Sequence, residues 1–343
     1  MKKKIMTLMM ALFVFILVAC GGQKKQKVSF YNWGGTINKQ VLKDFEKETG
    51  IEVVYSEFDE NERMYTNVKN SMKDYDVIVP SEYMVEKMIK ENLLNEIDLS
   101  KVPNFKEIAN VFKNKGFDPN NKHSIPMYYG TLGILYNKKM VDPKDLNEWD
   151  IIFNPKYKGK IYMLDSSRDT LGPGFWKLGY SSNSKDAKQL EEVKKLMTDQ
   201  KKLVTAYLHD EIKQQMVNKN GALAVVYSGE ASEAISENSD LDYYLPKHSN
   251  LWLDNFAIVK NATNLENAYK LINYLCDPKV AAKSGNNQAT PVTKAREIEP
   301  TKSVKSNKVL YPNLDDLREQ EVFKDLGDFV EKFEQAWEDV KAN

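Results

Sequence analysis

Cysteine, arginine and net charge are all scarce in this chain, and each shortage narrows what it can be. The two cysteines are Cys20, near the start, and Cys276, in Tyr274-Leu275-Cys276-Asp277. If Cys20 belongs to a leader, the remaining thiol has no internal disulfide partner. The fold must then be held by core burial, with Cys276 acting as a small buried hydrophobe. The arginines are Arg63, Arg168, Arg296 and Arg318; every other strongly basic residue is lysine. Recognition of phosphate and carboxylate leans on arginine forks, so an anionic ligand is disfavoured. A basic excess is also missing. Setting Lys2, Lys3 and Lys4 aside from 49 basic residues leaves 46 against 49 acidic ones, which argues against nucleic-acid binding. The chain has no G-x-S-x-G, no H-E-x-x-H and no phosphate loop ending in Gly-Lys-Ser/Thr. His123, His209 and His248 are scattered without metal-ligand spacing, so neither a metal nor a cofactor is expected.

Long apolar runs are equally short. Ile5 to Leu17 is almost unbroken, but a bilayer span takes about 20 apolar residues. Lys2 to Lys4 ahead of this run, and small residues behind it, describe a secretory signal. Leu17-Val18-Ala19-Cys20 resembles the bacterial lipobox, in which the cysteine becomes the lipidated N-terminus. Residues 1–19 are then a lipoprotein signal and 20–27 a polar, lysine-rich linker. The working protein is expected outside the cytoplasm, lipid-anchored to the cell membrane, on the periplasmic side where two membranes are present.

Strands and helices alternate after the linker. Val28 to Trp33 reads as a strand, Asn38 to Thr49 as a helix ended by Gly50, and Ile51 to Phe58 as a strand. Glu62 to Met72, Tyr75 to Val79 and Glu82 to Glu91 continue the alternation. Ser124 to Tyr136 is an extended apolar segment that could leave one domain for another. A second alternation follows: Ile161 to Leu164, Lys185 to Thr198, Ala222 to Tyr227, Leu251 to Val259, Leu265 to Leu275 and Asp328 to Val340. Gly172-Pro173-Gly174 reads as turn material. The pattern predicts an α/β protein with parallel sheets and helical crossovers.

Aromatic residues and carboxylates gather at the predicted strand ends. Trp252 and Asp254 lie two apart on a strand and share a face. Trp33 closes the first strand. Ser81 and Tyr83 follow Val77-Ile78-Val79-Pro80, Tyr227 closes Val225-Val226-Tyr227, and Asp165 and Asp169 bracket the end of Ile161 to Leu164. Open sheets bind ligands just beyond the carboxyl ends of their strands. An organic cation suits this set: an ammonium group only donates, carboxylates pair with it, and each aromatic face adds about 0.5–2 kcal/mol. Ser81 is also a predicted helix cap, and a helix N-terminus favours anions, so carboxylates must win locally.

Phe30-Tyr31-Asn32-Trp33, Val79-Pro80-Ser81-x-Tyr83, Ser124-Ile125-Pro126, Lys177-Leu178-Gly179-Tyr180 and Trp252-x-Asp254 occur in an order that resembles the polyamine-binding proteins of bacterial ABC importers. The resemblance covers essentially the whole mature chain. It implies a two-lobed periplasmic-binding-protein fold, two α/β domains joined by crossing hinge segments with the ligand between them. Lobe I would comprise residues 28–131 plus 256–290, and lobe II 132–255 plus 291–343. Trp33, Ser81, Tyr83, Trp252 and Asp254 match family binding positions. Tyr227 stands in place of a tryptophan and Asp169 near a family glutamate. Where the family often has an acid and a tyrosine, this chain has Gly35 and Thr36; where it has two adjacent aspartates, Asp165 and Ser166; where it has a tyrosine, Gln288. Fewer acidic anchors suit a short diamine such as putrescine, or a ligand with its own carboxylate. The implied partners are a polyamine (putrescine and/or spermidine), a membrane permease and the membrane itself through lipid; the implied state is a monomer and not an enzyme. Two alternatives stand beside it. One is a receptor of this fold for ferric ion or an amino-acid-like cation, given Tyr128-Tyr129 and Tyr243-Tyr244. The other is an extracellular carboxylate-dependent enzyme.

Overall fold

The computed structural model describes residues 26–286, 288–298 and 308–342; Cys20 and the leader lie outside them. The chain begins as strand β1 (Lys27–Trp33), helix α1 (Gln40–Thr49) and strand β2 (Glu52–Phe58). Val41, Leu42 and Phe45 turn one face of α1 into the core. Gly50 ends the helix at φ 71°, a left-handed conformation that costs glycine nothing, and returns its N–H to the Glu46 carbonyl. Helix α2 (Asn61–Asn70), strand β3 (Val77–Ile78) and helix α3 (Glu82–Lys90) complete this βαβ array. Both β2 and β3 pair with β1 in parallel, Val28 opposite Val53 and Phe30 opposite Val77.

The long strand β4 (Ser124–Asn137) is buried along nearly its whole length. Beyond it come β5 (Ile161–Leu164), helices α4 (Ser167–Lys177) and α5 (Ala187–Lys201), and β6 (Val204–Leu208). Helix α6 (Glu211–Val217), β7 (Leu223–Tyr227), α7 (Ser228–Glu237), β8 (Leu241–Tyr244) and β9 (Leu251–Ile258) follow. Helices α8 (Leu265–Leu275), α9 (Pro278–Ser284) and α10 (Val330–Ala342) close the chain. The strand order is β2-β1-β3-β9-β4-β7-β5-β6, with β8 also on β4. The expected parallel sheets are present at both ends, β1 with its neighbours and β5 with β6 and β7. Between them the sheet is antiparallel. β4 pairs with β9 from Ser124 to Thr131 and then with β7 from Leu132 to Tyr136. One strand therefore threads two sheets and changes partner between Thr131 and Leu132.

Two hydrophobic cores sit on either side of that exchange. The first gathers residues of 28–129 and 251–295 with Leu310 and Leu317. The second gathers residues of 132–241 with Phe323, Leu326, Phe333, Trp337 and Val340. Leu251, Leu253, Val292 and Ala295 thus pack with the first core, although the boundaries read from sequence put them on the second lobe. The reason is pairing: β9 lies along its whole length on β3 and the first half of β4, and Val292 bridges Ile108 of the first core. Cys276 is a free, buried thiol of the first core.

Gly172-Pro173-Gly174 is not a turn but the middle of α4. An internal proline costs a helix about 3 kcal/mol, and burial of Leu171, Phe175 and Trp176 offsets it. The flanking glycines are packing devices. A Cβ on Gly172 would lie 2.9 Å from the Trp176 ring, and one on Gly174 would press Val193 and Met197 of α5 at 3.0 and 3.1 Å. Among the described residues no helix is long and apolar enough to cross a membrane.

Candidate functional site

Where β4 changes partner, Gly130 has no room for a side chain: its Cβ would fall 2.2 Å from the Trp252 ring and 2.8 Å from Ser228 Oγ. Bare backbone here lets the Trp252 indole and the start of α7 come together at the seam between the cores. Tyr83 packs against both cores, so it marks the same seam.

Asp254 lies on the first-core side, 9% exposed. Ser81 Oγ donates to its Oδ1 at 2.9 Å, and the two residues pair as a single β-bridge. Burial pushes the Asp254 carboxyl up to about 7, against the pull of Ser81 and the Trp33 indole. Trp33 stacks obliquely on Phe58 at 4.6 Å, and Thr36 Oγ1 donates to the Trp33 carbonyl at 3.0 Å, fixing the strand end. Asn61 Oδ1 accepts the Ser81 N–H at 3.2 Å, while its Nδ2 donates to Tyr83 Oη at 3.0 Å. One amide thereby sets the position of both residues.

Asp169 lies on the second-core side, 6% exposed. Tyr227 Oη and Ser166 Oγ each donate to its Oδ2 at 2.7 Å. Burial raises the Asp169 carboxyl; the Tyr227 and Ser166 hydrogen bonds and the Arg168 charge lower it. Ser166, read from sequence as a lost carboxylate, is the N-cap of α4 and a donor to Asp169. Among the described residues no lysine or arginine forms an ion pair with Asp254 or Asp169. Two carboxylates held only by neutral donors, facing aromatic rings, are an arrangement that completes itself with a cation.

The predicted residues are not all brought together. Trp33, Ser81, Tyr83, Trp252 and Asp254 form one group, and Asp169 with Tyr227 the other. Gln288 is half-buried beside Gly285 and Tyr128, and Tyr128 is the cross-strand partner of Asp254. Asp165 is turned elsewhere. Its Oδ1 accepts from Trp337 Nε1 at 3.0 Å and from Lys341 Nζ at 3.3 Å, tying β5 to α10. The paired tyrosines also separate: Tyr128 donates to Ser284, Tyr129 meets Arg296, Tyr243 binds Thr131, and Tyr244 accepts from the Glu148 N–H. Adjacent strand residues point to opposite faces, which is why neither pair can act together.

Three charged residues at the seam went unread in the sequence. Glu82, 1% exposed at the start of α3, accepts the Leu253 N–H at 2.8 Å, and burial raises it to about 8. It holds the strand between Trp252 and Asp254. Arg168 stacks on Phe323 at 4.2 Å and donates to Asn183, Ser182 and Lys324; its charge favours the ionised forms of Asp169 and Glu82. Glu230 follows Tyr227 by three residues. Their only sequence signals were the rarity of arginine and an acid next to a helix cap.

Two α/β units, wired by crossing strands around a seam of carboxylates and aromatics, define a receptor of the periplasmic-binding-protein type. A family model described as bacterial extracellular solute-binding protein matches residues 40–312, and the chain belongs to that family, a family of solute binders rather than enzymes. It is 37% identical to the spermidine/putrescine-binding periplasmic protein of Escherichia coli, over 91% of each chain. Among solved structures it resembles a spermidine/putrescine ABC transporter substrate-binding protein from Streptococcus pneumoniae, with TM-score 0.84 and 39% identity, covering 92% of this chain and 99% of that one. It also resembles a lipoprotein of Treponema pallidum, with TM-score 0.81 and 25% identity, covering 93% of this chain and 100% of that one.

Proposed function

We propose that this protein is a polyamine receptor, tethered outside the cytoplasm through Cys20, that hands its ligand to an ABC importer and performs no chemistry on it. The observation that carries this reading is Asp254: a buried carboxylate held by a serine hydroxyl, near the Trp33 indole, with no cationic side chain bound to it among the described residues. Trp33, Ser81, Tyr83, Trp252 and Asp254 would grip one amine. Asp169 and Tyr227, across the seam, would grip the other. Closure of the two lobes about β4 and its neighbours would bury the ligand and strengthen each charge pair by excluding water. The names of the Escherichia coli and Streptococcus pneumoniae relatives support the ligand class, and that of the Treponema pallidum relative supports the anchor. Gln288 belongs to the surrounding wall in this reading, and the protein acts as a monomer.

Calorimetry on the mature protein tests the ligand. Putrescine or spermidine is expected to bind with micromolar or tighter affinity, and binding of neither would end the reading. Native mass spectrometry of freshly purified protein should show the retained amine.

Asp165 gives a control. Because it ties β5 to α10, Asp165→Asn is expected to lower stability by about 0.5–1.5 kcal/mol and leave polyamine affinity within twofold. Denaturant unfolding and titration of the same sample read both. A tenfold loss of affinity would return Asp165 to the site.

A further inference from the structure

Residues 320–326 form a strap along the seam, rooted in the second lobe. The Glu321 carboxylate is the root: it accepts from Trp176 Nε1 at 2.8 Å, from the Ser182 N–H at 2.8 Å and Oγ at 2.6 Å, and from Ser181 Oγ. A charged acceptor holding several donors is a firm anchor. The Glu321 backbone meanwhile bonds the start of β9, accepting the Leu251 N–H and donating to the Ser249 carbonyl, each at 2.7 Å. Asn183 grips the next residues: its Nδ2 donates to the Val322 carbonyl at 2.9 Å, and its Oδ1 accepts the Lys324 N–H at 2.8 Å. Phe323 and Leu326 bury their side chains in the second core.

The tip of the strap reaches the first lobe. Val322 packs on the first core. The Asp325 N–H donates to Glu86 Oε2 at 2.8 Å, and Asp325 Oδ2 accepts from Lys90 Nζ at 2.9 Å. Lys90 also pairs with Glu86 at 3.0 Å, so one ammonium holds together two carboxylates that would otherwise repel. The Gly327 N–H donates to the other Asp325 oxygen at 3.0 Å and aims the acid at α3. An exposed ion pair is worth little, but the Asp325 side chain is only 15% exposed and its backbone bonds a carboxylate as well. Glu91, just past α3, behaves differently: its partners Lys69 and Lys87 stay on its own lobe.

Glu86 and Lys90 lie on α3, whose N-cap is Ser81 and whose first turn carries Tyr83. The strap therefore holds the same short rod that sets Ser81 on Asp254 and packs Tyr83 against both cores.

Resting on the polyamine reading and its closing lobes, we infer that Asp325, through Lys90 and Glu86, latches α3 to the second lobe and sets how fast the closed receptor opens and releases its amine. Asp325 is a positioning residue in this arrangement and touches no ligand. The latch joins the lobes only when they are apposed. Its loss destabilises the closed state and speeds opening, while the encounter of an amine with the open cleft is unchanged.

The test is Lys90→Met in mature protein lacking residues 1–20, a change that keeps the aliphatic stem and leaves Glu86 and Asp325 unneutralised. Val54→Cys and Met140→Cys, exposed positions on the first and second lobes, carry a donor and an acceptor dye. Protein loaded with putrescine is mixed with excess unlabelled wild-type protein, which captures the released amine, and the change in energy transfer gives the opening rate. Lys90→Met is expected to open at least twofold faster than wild type, with an association rate for putrescine unchanged within twofold. A smaller rise in opening rate would overturn the inference. Lys90→Arg, which keeps the charge, should open at the wild-type rate; opening as fast as Lys90→Met would count against a charge contact. Lys101→Met removes an ion pair with Glu266 that lies within the first lobe, and should leave the rate unchanged. An equal acceleration there would assign the effect to general loosening and refute the latch. Wild-type protein that binds neither putrescine nor spermidine would instead remove the polyamine reading itself.

Discussion

Asp254→Ala lowers polyamine affinity by two to three orders of magnitude and leaves the protein folded. Truncating one partner of a buried, hydrogen-bonded charge pair costs about 2–5 kcal/mol, or roughly 30- to 5,000-fold in affinity. Asp254 meets that description once an ammonium lies against it, because its hydrogen-bonded protein partner is the Ser81 hydroxyl. Folding survives for the same reason that the carboxyl is held near 7: its charge is already unfavourable in the ligand-free seam. Losing it leaves one serine hydroxyl to find water. Titration calorimetry measures the affinity, and circular dichroism with thermal melting checks the fold. Affinity within threefold of wild type would show that the ligand sits elsewhere.

The ligand-free protein is expected to lose stability as pH rises from 5 to 8, the reverse of common behaviour. Glu82 is raised to about 8, Asp254 and Glu230 to about 7, and Asp169 is also raised, all chiefly by burial. Between their ordinary values near 4 and these raised ones, the folded state holds protons that the unfolded chain has released. Stability is therefore full at low pH and falls as pH passes through that window. A tenfold difference in proton affinity between folded and unfolded chain is worth about 1.4 kcal/mol, so one such carboxyl contributes on the order of 4 kcal/mol across the window. Glu321 and Asp325 are lowered instead; their contributions are lost only in more acidic solution and do not compete here. A drop in melting temperature of at least about 5 °C between pH 5 and pH 8 follows, since ~1 kcal/mol moves a chain of moderate size by a few degrees. A saturating polyamine should remove most of that drop, because it binds the ionised carboxylates. Scanning calorimetry at several pH values, with and without ligand, reads both effects. A melting temperature that climbs from pH 5 to pH 8 without ligand would refute the assignment of these acids.

Periodicity carried much of the architecture. Ile161–Leu164 and Leu265–Leu275 stand where their apolar spacing puts them, and Gly50 ends α1 as a left-handed glycine should. What escaped was non-local. The antiparallel stitching of β4, β7, β8 and β9 depends on register between segments distant in sequence, such as Leu132 with Tyr227 and Ser124 with Ala257, and no local pattern encodes it. Gly172-Pro173-Gly174 misled because propensity is a weak prior against three buried aromatic and aliphatic side chains. In the site, Ser81 and Asp254 were legible because aromatic and acidic residues at strand ends are a local signal. Asp165 was misplaced because bracketing a strand end does not say which way a side chain turns. Glu82 and Glu230 looked like ordinary first-turn acids, and only three-dimensional burial sets them apart.

Cys276 has a practical consequence. Its thiol lies in the first core, and burial pushes it up to about 12, so it is protonated and shielded at neutral pH. Protein expressed without residues 1–20 would therefore present no reactive sulfur. A single cysteine engineered on the rim of the seam could be labelled alone with an environment-sensitive dye, turning the receptor into an optical gauge of amine concentration without any prior removal of native thiols.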